Sequence, residues 1–309
     1  MEMWATRPVP GGPKSKSRLL PIKILHPSLR MNKIAKRLSI ASVYCLWLAW
    51  APNPSRAQDY KDLPDAPRQT ARPAVDTTTG VPQREATWRT LPGDFLHDQK
   101  DLWTFPLRLA RGRHWVPTLI VVGGTVGLIY ADPHDTPYFR THQRNWDDVN
   151  DVFDPMITTS EVIALPAALL AAGYIRHDDR EVNTALLAAE AYGDSVVINL
   201  AMKAVTRRQR PSDVPPNGDY SNTFFNGGQS PFKGSSFPSG HATAVWSVAT
   251  VVAERYRHRG KPWIPILSYT LATAISASRI TESAHFPSDV WMGAALGYSI
   301  AKYQTLKPR

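Results

Sequence analysis

Apolar positions are unevenly spread along the chain. From residue 115 onward, six stretches are dense in Ala, Leu, Val and Ile, at 115–131, 158–175, 184–205, 240–256, 262–278 and 287–303. Each has helix length, and none sustains the apolar–polar alternation of a half-buried strand between turn signals. The pattern predicts an all-α protein built as a six-helix bundle, and no internal repeat interrupts it. Ahead of the bundle, Phe95–Arg111 mixes apolar and charged residues, which predicts an amphipathic helix lying on the body or on a membrane. Residues 58–93 are polar and carry Pro64, Pro67, Pro73, Pro82 and Pro92. With few apolar groups to offset the entropy of ordering, they read as a flexible N-terminal arm.

The first 57 residues have a different character. Met31 opens a cationic stretch with Lys33, Lys36 and Arg37, followed by the apolar run Leu38–Ala51 and then Ser55-Arg56-Ala57. A run of that length is short for a bilayer crossing. Small residues at 55 and 57 suit cleavage before Gln58, so 31–57 reads as a secretory signal peptide, with an uncleaved anchor as the alternative. Residues 1–30 sit awkwardly ahead of such a signal, which leaves Met1 and Met31 both open as the start. The expected organisation is a leader at 1–57, the arm and amphipathic segment at 58–114, a helical domain at 115–303 and a tail at 304–309.

Charge and cysteine content narrow the function classes. The net charge of +10 comes from 36 Lys and Arg against 26 Asp and Glu over 309 residues. Residues 1–57 hold ten of the bases and one of the acids, so the remainder is almost neutral. The basicity belongs to the leader, and nucleic acid is not an expected partner. Cys45, the only cysteine, lies in the signal, which excludes disulfides and thiolate chemistry from the mature chain.

Whether the apolar stretches cross a membrane is a separate question. The basic loop RYRHRGK at 255–261 favours the cytoplasmic side. Six full crossings would then place 58–114 in the cytoplasm, whereas a signal peptide places them outside. A bundle in the periplasm that touches a membrane resolves the conflict most simply; an integral membrane protein is the alternative.

Three clusters near helix ends carry the chemistry. KAVTRRQRP sets Lys203 and Arg210 two turns apart on one helix face, with Pro211 ending that helix. Pro238-Ser239-Gly240-His241 stands at the mouth of the fourth apolar stretch. SRITESAHFPSD supplies Ser278, Arg279, His285 and Asp289, the last two being neighbours if that segment is helical. Taken singly, each has an ordinary explanation: a solvated basic face, a helix cap, a structural histidine. Together they assemble three cations, a helix N-terminus and two histidines, a set that repels itself unless an anion joins it.

This pattern resembles the type 2 phosphatidic acid phosphatase superfamily, which also includes bacterial acid phosphatases and vanadium haloperoxidases. The matching elements are Lys203 with Arg210-Pro211, then Pro238-Ser239-Gly240-His241, then Ser278-Arg279 with His285 and Asp289. The resemblance implies that Lys203, Arg210 and Arg279 bind phosphoryl oxygens and that Ser239 and the backbone of Gly240 complete the cradle. It implies His285 as nucleophile, Asp289 as its orienting carboxylate and His241 as general acid and base. No metal and no cofactor is expected; vanadate enters only in the haloperoxidase alternative. The implied activity is hydrolysis of a phosphomonoester or pyrophosphate through a phosphohistidine. The expected partner is a phosphorylated lipid or a small phosphomonoester, with membrane association. The alternatives are a soluble nonspecific acid phosphatase, a haloperoxidase and a non-catalytic scaffold. Residues 212–237, rich in turns and including Tyr220, Phe224, Phe225, Phe232 and Phe237, read equally as a packed loop or as a substrate-contacting rim. His258 reads as solvated, and Trp246 and Trp291 as core or interfacial.

Overall fold

The computed structural model describes residues 84–227, 235–257 and 262–308. The expected leader, its cleavage site, most of the Pro-rich arm, Phe232 and His258 lie outside the described residues. Among those described there is no strand. The chain forms α1 (Leu91–Trp103), α2 (Phe105–Ala110), α3 (Trp115–Thr141), α4 (Asp147–Val152), α5 (Pro155–Arg176), α6 (Asp179–Thr206), α7 (Gly240–Tyr256), α8 (Trp263–Thr281) and α9 (Pro287–Ile300). A π-helical turn, Ala301–Thr305, extends α9. The all-α expectation holds, but the described residues contain nine α-helices rather than six. Each predicted apolar stretch lies on one of them, and α1, α2 and α4 are additional short elements. The amphipathic segment is two helices, not one. Pro106 has no N–H to continue the first helix and stands in the opening turn of the second, where none is needed; the break falls at Thr104, whose hydroxyl donates to the Lys100 carbonyl at 2.8 Å.

Helix α7 is the central element. It is buried on nearly every face, from Ala242 and Thr243 through Val251 and Val252 to Arg255. Val245, Val248 and Val251 meet Leu186, Leu187, Ala188 and Ala191 of α6, Ala272 and Ile275 of α8 and Val162 of α5 in one apolar core. Helix α9 lies against α7 at glycines. A Cβ on Gly293 would fall 2.6 Å from the Ser239 carbonyl oxygen, and one on Gly297 only 2.2 Å from that of Thr243. Only glycine permits this approach, and it brings the first turns of α7 and α9 together. There the Ser239 N–H donates to the Asp289 carbonyl at 2.9 Å.

The stretch before α1 also enters the body. Ala86 joins the core, and the buried Arg84 guanidinium donates to Glu190 at 2.7 and 3.0 Å and lies 3.1 Å from Asp94 and 3.6 Å from Asp98. Helices α3, α5 and α6 are long and apolar enough to cross a membrane. Only 11% of the most apolar window of α3 is buried, and its outer face exposes Val116, Leu119, Ile120, Val126 and Tyr130.

Candidate active site

The three clusters reach one place by routes that differ from the simple helical picture. Helix α6 ends at Thr206, not at Pro211. Arg207 then takes a left-handed conformation (φ 42°), and Arg210 follows in extended backbone (φ −81°, ψ 153°). Lys203 and Arg210 therefore do not share a helix face; the turn at Arg207 folds the chain back so that both reach the same cavity. Residue 211 begins a short 3₁₀ turn, Pro211–Asp213. Lys203 is buried, and its Nζ donates to the Ser235 carbonyl at 2.7 Å.

Helix α7 begins at Gly240. Ser239 is its N-cap, and its Oγ accepts the Ala242 N–H at 3.4 Å. His241 stands in the first turn. One ring nitrogen, Nε2, lies 3.1 Å from Thr159 Oγ1 and 3.2 Å from the Pro155 carbonyl, both on α5.

His285 and Asp289 also depart from expectation. His285 is not helical; it precedes Phe286, the N-cap of α9, and Pro287 opens that helix. The pair meets across the helix entrance, with Nδ1 of His285 3.5 Å from Oδ2 of Asp289. That separation is at the limit of a hydrogen bond. The same Oδ2 accepts the Phe286 N–H at 2.9 Å, so Asp289 caps the helix that carries it.

A cavity of about 270 Å³ lies between α5, α6 and α7. Lys203, Arg210, Gly240, His241 and His285 form its polar end, while Val162, Tyr192, Val196, Leu200 and Ala244 contribute an apolar wall. Three predicted residues stand behind this lining. Ser239 and Asp289 are fully buried at the paired helix starts. Arg279, also fully buried, bonds through Nη2 to the Phe153 carbonyl, to Ser278 Oγ at 2.9 Å and to Glu282 at 3.0 Å. Its Nη1 has no partner, and neither does the buried Nε of Arg210. Two guanidinium groups with unused donors beside a buried lysine are suited to an oxyanion with several acceptor oxygens.

Electrostatics keep both histidines neutral. Burial lowers the pKa of His285 to about 4; the Asp289 carboxylate opposes this and the charges of Lys203 and Arg210 add to it. Burial likewise lowers that of His241 to about 4, reinforced chiefly by the Arg279 charge. Burial alone would raise the Asp289 carboxyl. The Arg208 charge, His285 and the Phe286 amide together outweigh it and hold Asp289 below its ordinary value.

Arg208, Asp132, Asn199 and Thr159 belong to the site's surroundings but were not singled out from the sequence. Asn199 donates to the Pro238 carbonyl at 3.3 Å and to Thr243 Oγ1 at 3.0 Å, tying α6 to the start of α7. Arg208 sits in a basic run where nothing marks it from Arg207. The described aromatic residues of 212–237 do not line the cavity. Tyr220 and Phe237 are buried, Tyr220 packs edge-on to Phe286 at 6.5 Å, and Phe224 packs against Phe237 at 5.6 Å. Trp246 packs against the core, and the half-exposed Trp291 donates to the Val121 carbonyl at 3.3 Å.

The chain has similarity to known proteins. A family model described as the PAP2 superfamily matches residues 184–307. This segment is similar to the PAP2 superfamily. The PAP2 match takes in α6 through α9 and therefore every residue of the three clusters; α3 and α5 precede it. Among curated proteins, the chain is similar to the lipid A 1-phosphatase of Porphyromonas gingivalis, with 37% identity over 67 residues. That stretch is 22% of this chain, and it spans only 15% of the relative's length. Among solved structures, the chain is similar to the first transmembrane PAP2 type phosphatidylglycerolphosphate phosphatase from Bacillus subtilis. The identity is 19% and the TM-score 0.38, covering 66% of this chain and 92% of that one.

Proposed function

We propose that this protein is a metal-independent phosphatase that hydrolyses a phosphomonoester or pyrophosphate of a lipid and works through a phosphohistidine. The observation that carries the reading is the single cavity that pairs a cationic, two-histidine end with an apolar wall. A phosphate headgroup fits the first and the beginning of an acyl or prenyl chain fits the second. The exposed apolar face of α3 supports membrane association, and the name of the lipid A relative supports a lipid substrate.

In this mechanism Lys203 and Arg210 hold the phosphoryl oxygens, with the free Nη1 of Arg279 and the Gly240 backbone completing the cradle. His285 carries its proton on Nδ1, facing Asp289, so Nε2 is free to attack phosphorus. As the P–N bond forms, the P–O bond breaks and the leaving oxygen takes a proton from His241. In the second step His241 takes a proton from water, the hydroxide attacks phosphorus, and His285 leaves. Burial and the Arg279 charge hold the His241 pKa down. A bound phosphate dianion opposes the Arg279 charge that holds its pKa down, so binding should bring the proton that the first step needs.

The test is phosphate release from purified protein with lipid A, phosphatidic acid, phosphatidylglycerol phosphate and a prenyl pyrophosphate, against soluble phosphomonoesters, with EDTA throughout. The expected result is turnover in EDTA and a preference for a lipid. Equal rates on soluble esters would favour a nonspecific acid phosphatase, and halide oxidation by vanadate-loaded protein would favour a haloperoxidase.

A further inference from the structure

Arg208 is almost wholly buried, two residues before the cavity-lining Arg210, and it does not touch the cavity. Every nitrogen of its guanidinium has a partner. Nη1 donates to Asp289 Oδ1 at 2.7 Å and to Ser288 Oγ at 2.6 Å, Nη2 donates to Asp132 Oδ2 at 2.7 Å, and Nε donates to Thr223 Oγ1 at 3.0 Å. Its plane is held between two rings, with the guanidinium carbon 3.8 Å from the Phe286 centroid and 4.6 Å from that of Phe224. Asp132, on α3, closes the circuit by accepting from the Ser288 hydroxyl and, at 3.3 Å, from the Ser288 N–H.

We propose that Arg208 and Asp132 form a positioning pair that fixes the Asp289 carboxylate against His285 and keeps the His285 proton on Nδ1. This rests on the phosphatase reading of the same site. The geometry gives Arg208 one oxygen of Asp289 and leaves the other to Phe286 and His285. With Oδ1 taken, the carboxylate cannot rotate to present a different oxygen, and its orientation is set by a rigid, ring-stacked fork. Asp132 holds the far side of that fork. Asp132 lies on α3, ahead of the PAP2-matched segment, so the pair ties that part of the chain to the site.

Arg208 also shares the negative charge of Asp289, so it sets how strongly that carboxylate attracts a proton onto His285. The groups facing His285 are Asp289 on α9, Lys203 on α6, Arg210 in the loop after α6 and His241 on α7; the carbonyl of Arg279 on α8 accepts the His285 N–H at 3.1 Å. Removing Arg208 leaves Asp289 as the opponent of those cations with its full charge, and the His285 titration should move up. Removing the Asp132 charge leaves the whole of Arg208 on Asp289, and the titration should move down.

The experiment uses the full-length protein with Asp132→Asn, Arg208→Lys and the double variant Arg208→Met/Asp132→Asn, which leaves no lone buried arginine. Two readouts are taken. The first is the His285 imidazole titration and tautomer by nitrogen NMR, which needs no turnover. The second is the pH profile of kcat/KM with the preferred lipid phosphate. The double variant should show an upward shift of the titration and of the acid limb, Asp132→Asn a downward shift. Arg208→Lys should lower kcat about 10- to 100-fold, by analogy with other outer-shell partners, at unchanged KM and with little shift, because it keeps the charge and loses the fork. If the double variant fails to fold, the opposite behaviour of Asp132→Asn and the kcat–KM split of Arg208→Lys still decide. Identical titration and tautomer in all folded variants would overturn the proposal. Wild-type protein without phosphatase activity, but with the predicted NMR shifts, would overturn the phosphatase reading and leave the positioning pair standing.

Discussion

Two alanine substitutions at glycines separate the fold from the chemistry. At Gly297 a Cβ would lie 2.2 Å from the Thr243 carbonyl oxygen and 2.9 Å from the Ser247 nitrogen, both backbone atoms of α7. Carbon and oxygen need more than 3 Å, so α9 must move away by about 1 Å along much of its contact with α7. Overpacking of that kind costs roughly 1–3 kcal/mol, and for a body of this size each kcal/mol lowers Tm by about 2–4 °C. At Gly240 the same Cβ finds only Asn199 Oδ1 at 3.6 Å and Lys203 Cε at 3.9 Å, which is ordinary contact. Alanine in that helical turn should leave stability unchanged or raise it by up to about 1 kcal/mol. The added methyl would instead stand in the polar end of the cavity, where Gly240 is part of the lining. Gly297→Ala is therefore expected to lower Tm by several degrees, and Gly240→Ala to keep Tm while losing phosphate release and vanadate affinity. Near-UV circular dichroism melts and a phosphate-release assay on the two purified variants provide the comparison. Full activity in Gly240→Ala would refute the placement of the phosphate at the mouth of α7. An unchanged Tm in Gly297→Ala would refute the close α7–α9 approach.

Other consequences can be checked with the same preparations. Arg210→Ala should lose about 2–4 kcal/mol of transition-state stabilisation in kcat/KM, as for other preorganised donors, with little change in Tm, whereas Arg279→Ala should lose activity and stability together because Arg279 also braces Phe153 and Glu282. Vanadate should inhibit competitively and EDTA should not inhibit; loss of activity in EDTA restored by a divalent ion would contradict the metal-free reading. His285 is neutral and buried with its pKa lowered from 6.5 to about 4, so its contribution to stability is complete above about pH 6.5 and declines as the pH falls toward 4, where the unfolded chain takes up a proton that the folded chain refuses. Melts between pH 7 and 4 should show that decline together with the similar one of His241, and His285→Gln should lessen it.

The helical stretches were legible because their apolar density survives averaging over a dozen or more residues, and α7 runs over the very residues expected, Gly240–Tyr256. The clusters were legible as chemistry because Lys203, Arg210, His241, Arg279, His285 and Asp289 have no shared structural reason to crowd three helix ends. Local geometry was less so. The left-handed Arg207 that ends α6 early has no glycine to announce it. The entrance to α9 is fixed by Asp289 capping Phe286, so a four-residue spacing that suggested a helix face is in fact a loop folded back on a helix start. Arg84 and Asp132 were invisible for a different reason. Their significance lies in partners 106 and 76 positions away, Glu190 and Arg208, and a single sequence carries no signal for such pairs.

The central claim is that phosphate passes through a covalent bond to His285. The direct measurement is rapid mixing of His241→Ala with nitrophenyl phosphate, an alkaline quench that preserves phosphohistidine, and mass spectrometry of the resulting peptides. Nitrophenolate leaves with little help, so the first step should survive while the second, which needs His241 as base, should stall. The account predicts a burst close to one equivalent of nitrophenolate with one phosphoryl group on His285, and none when His285 is replaced by alanine. A phosphoryl group on another residue, or turnover that continues with none on His285, would contradict it.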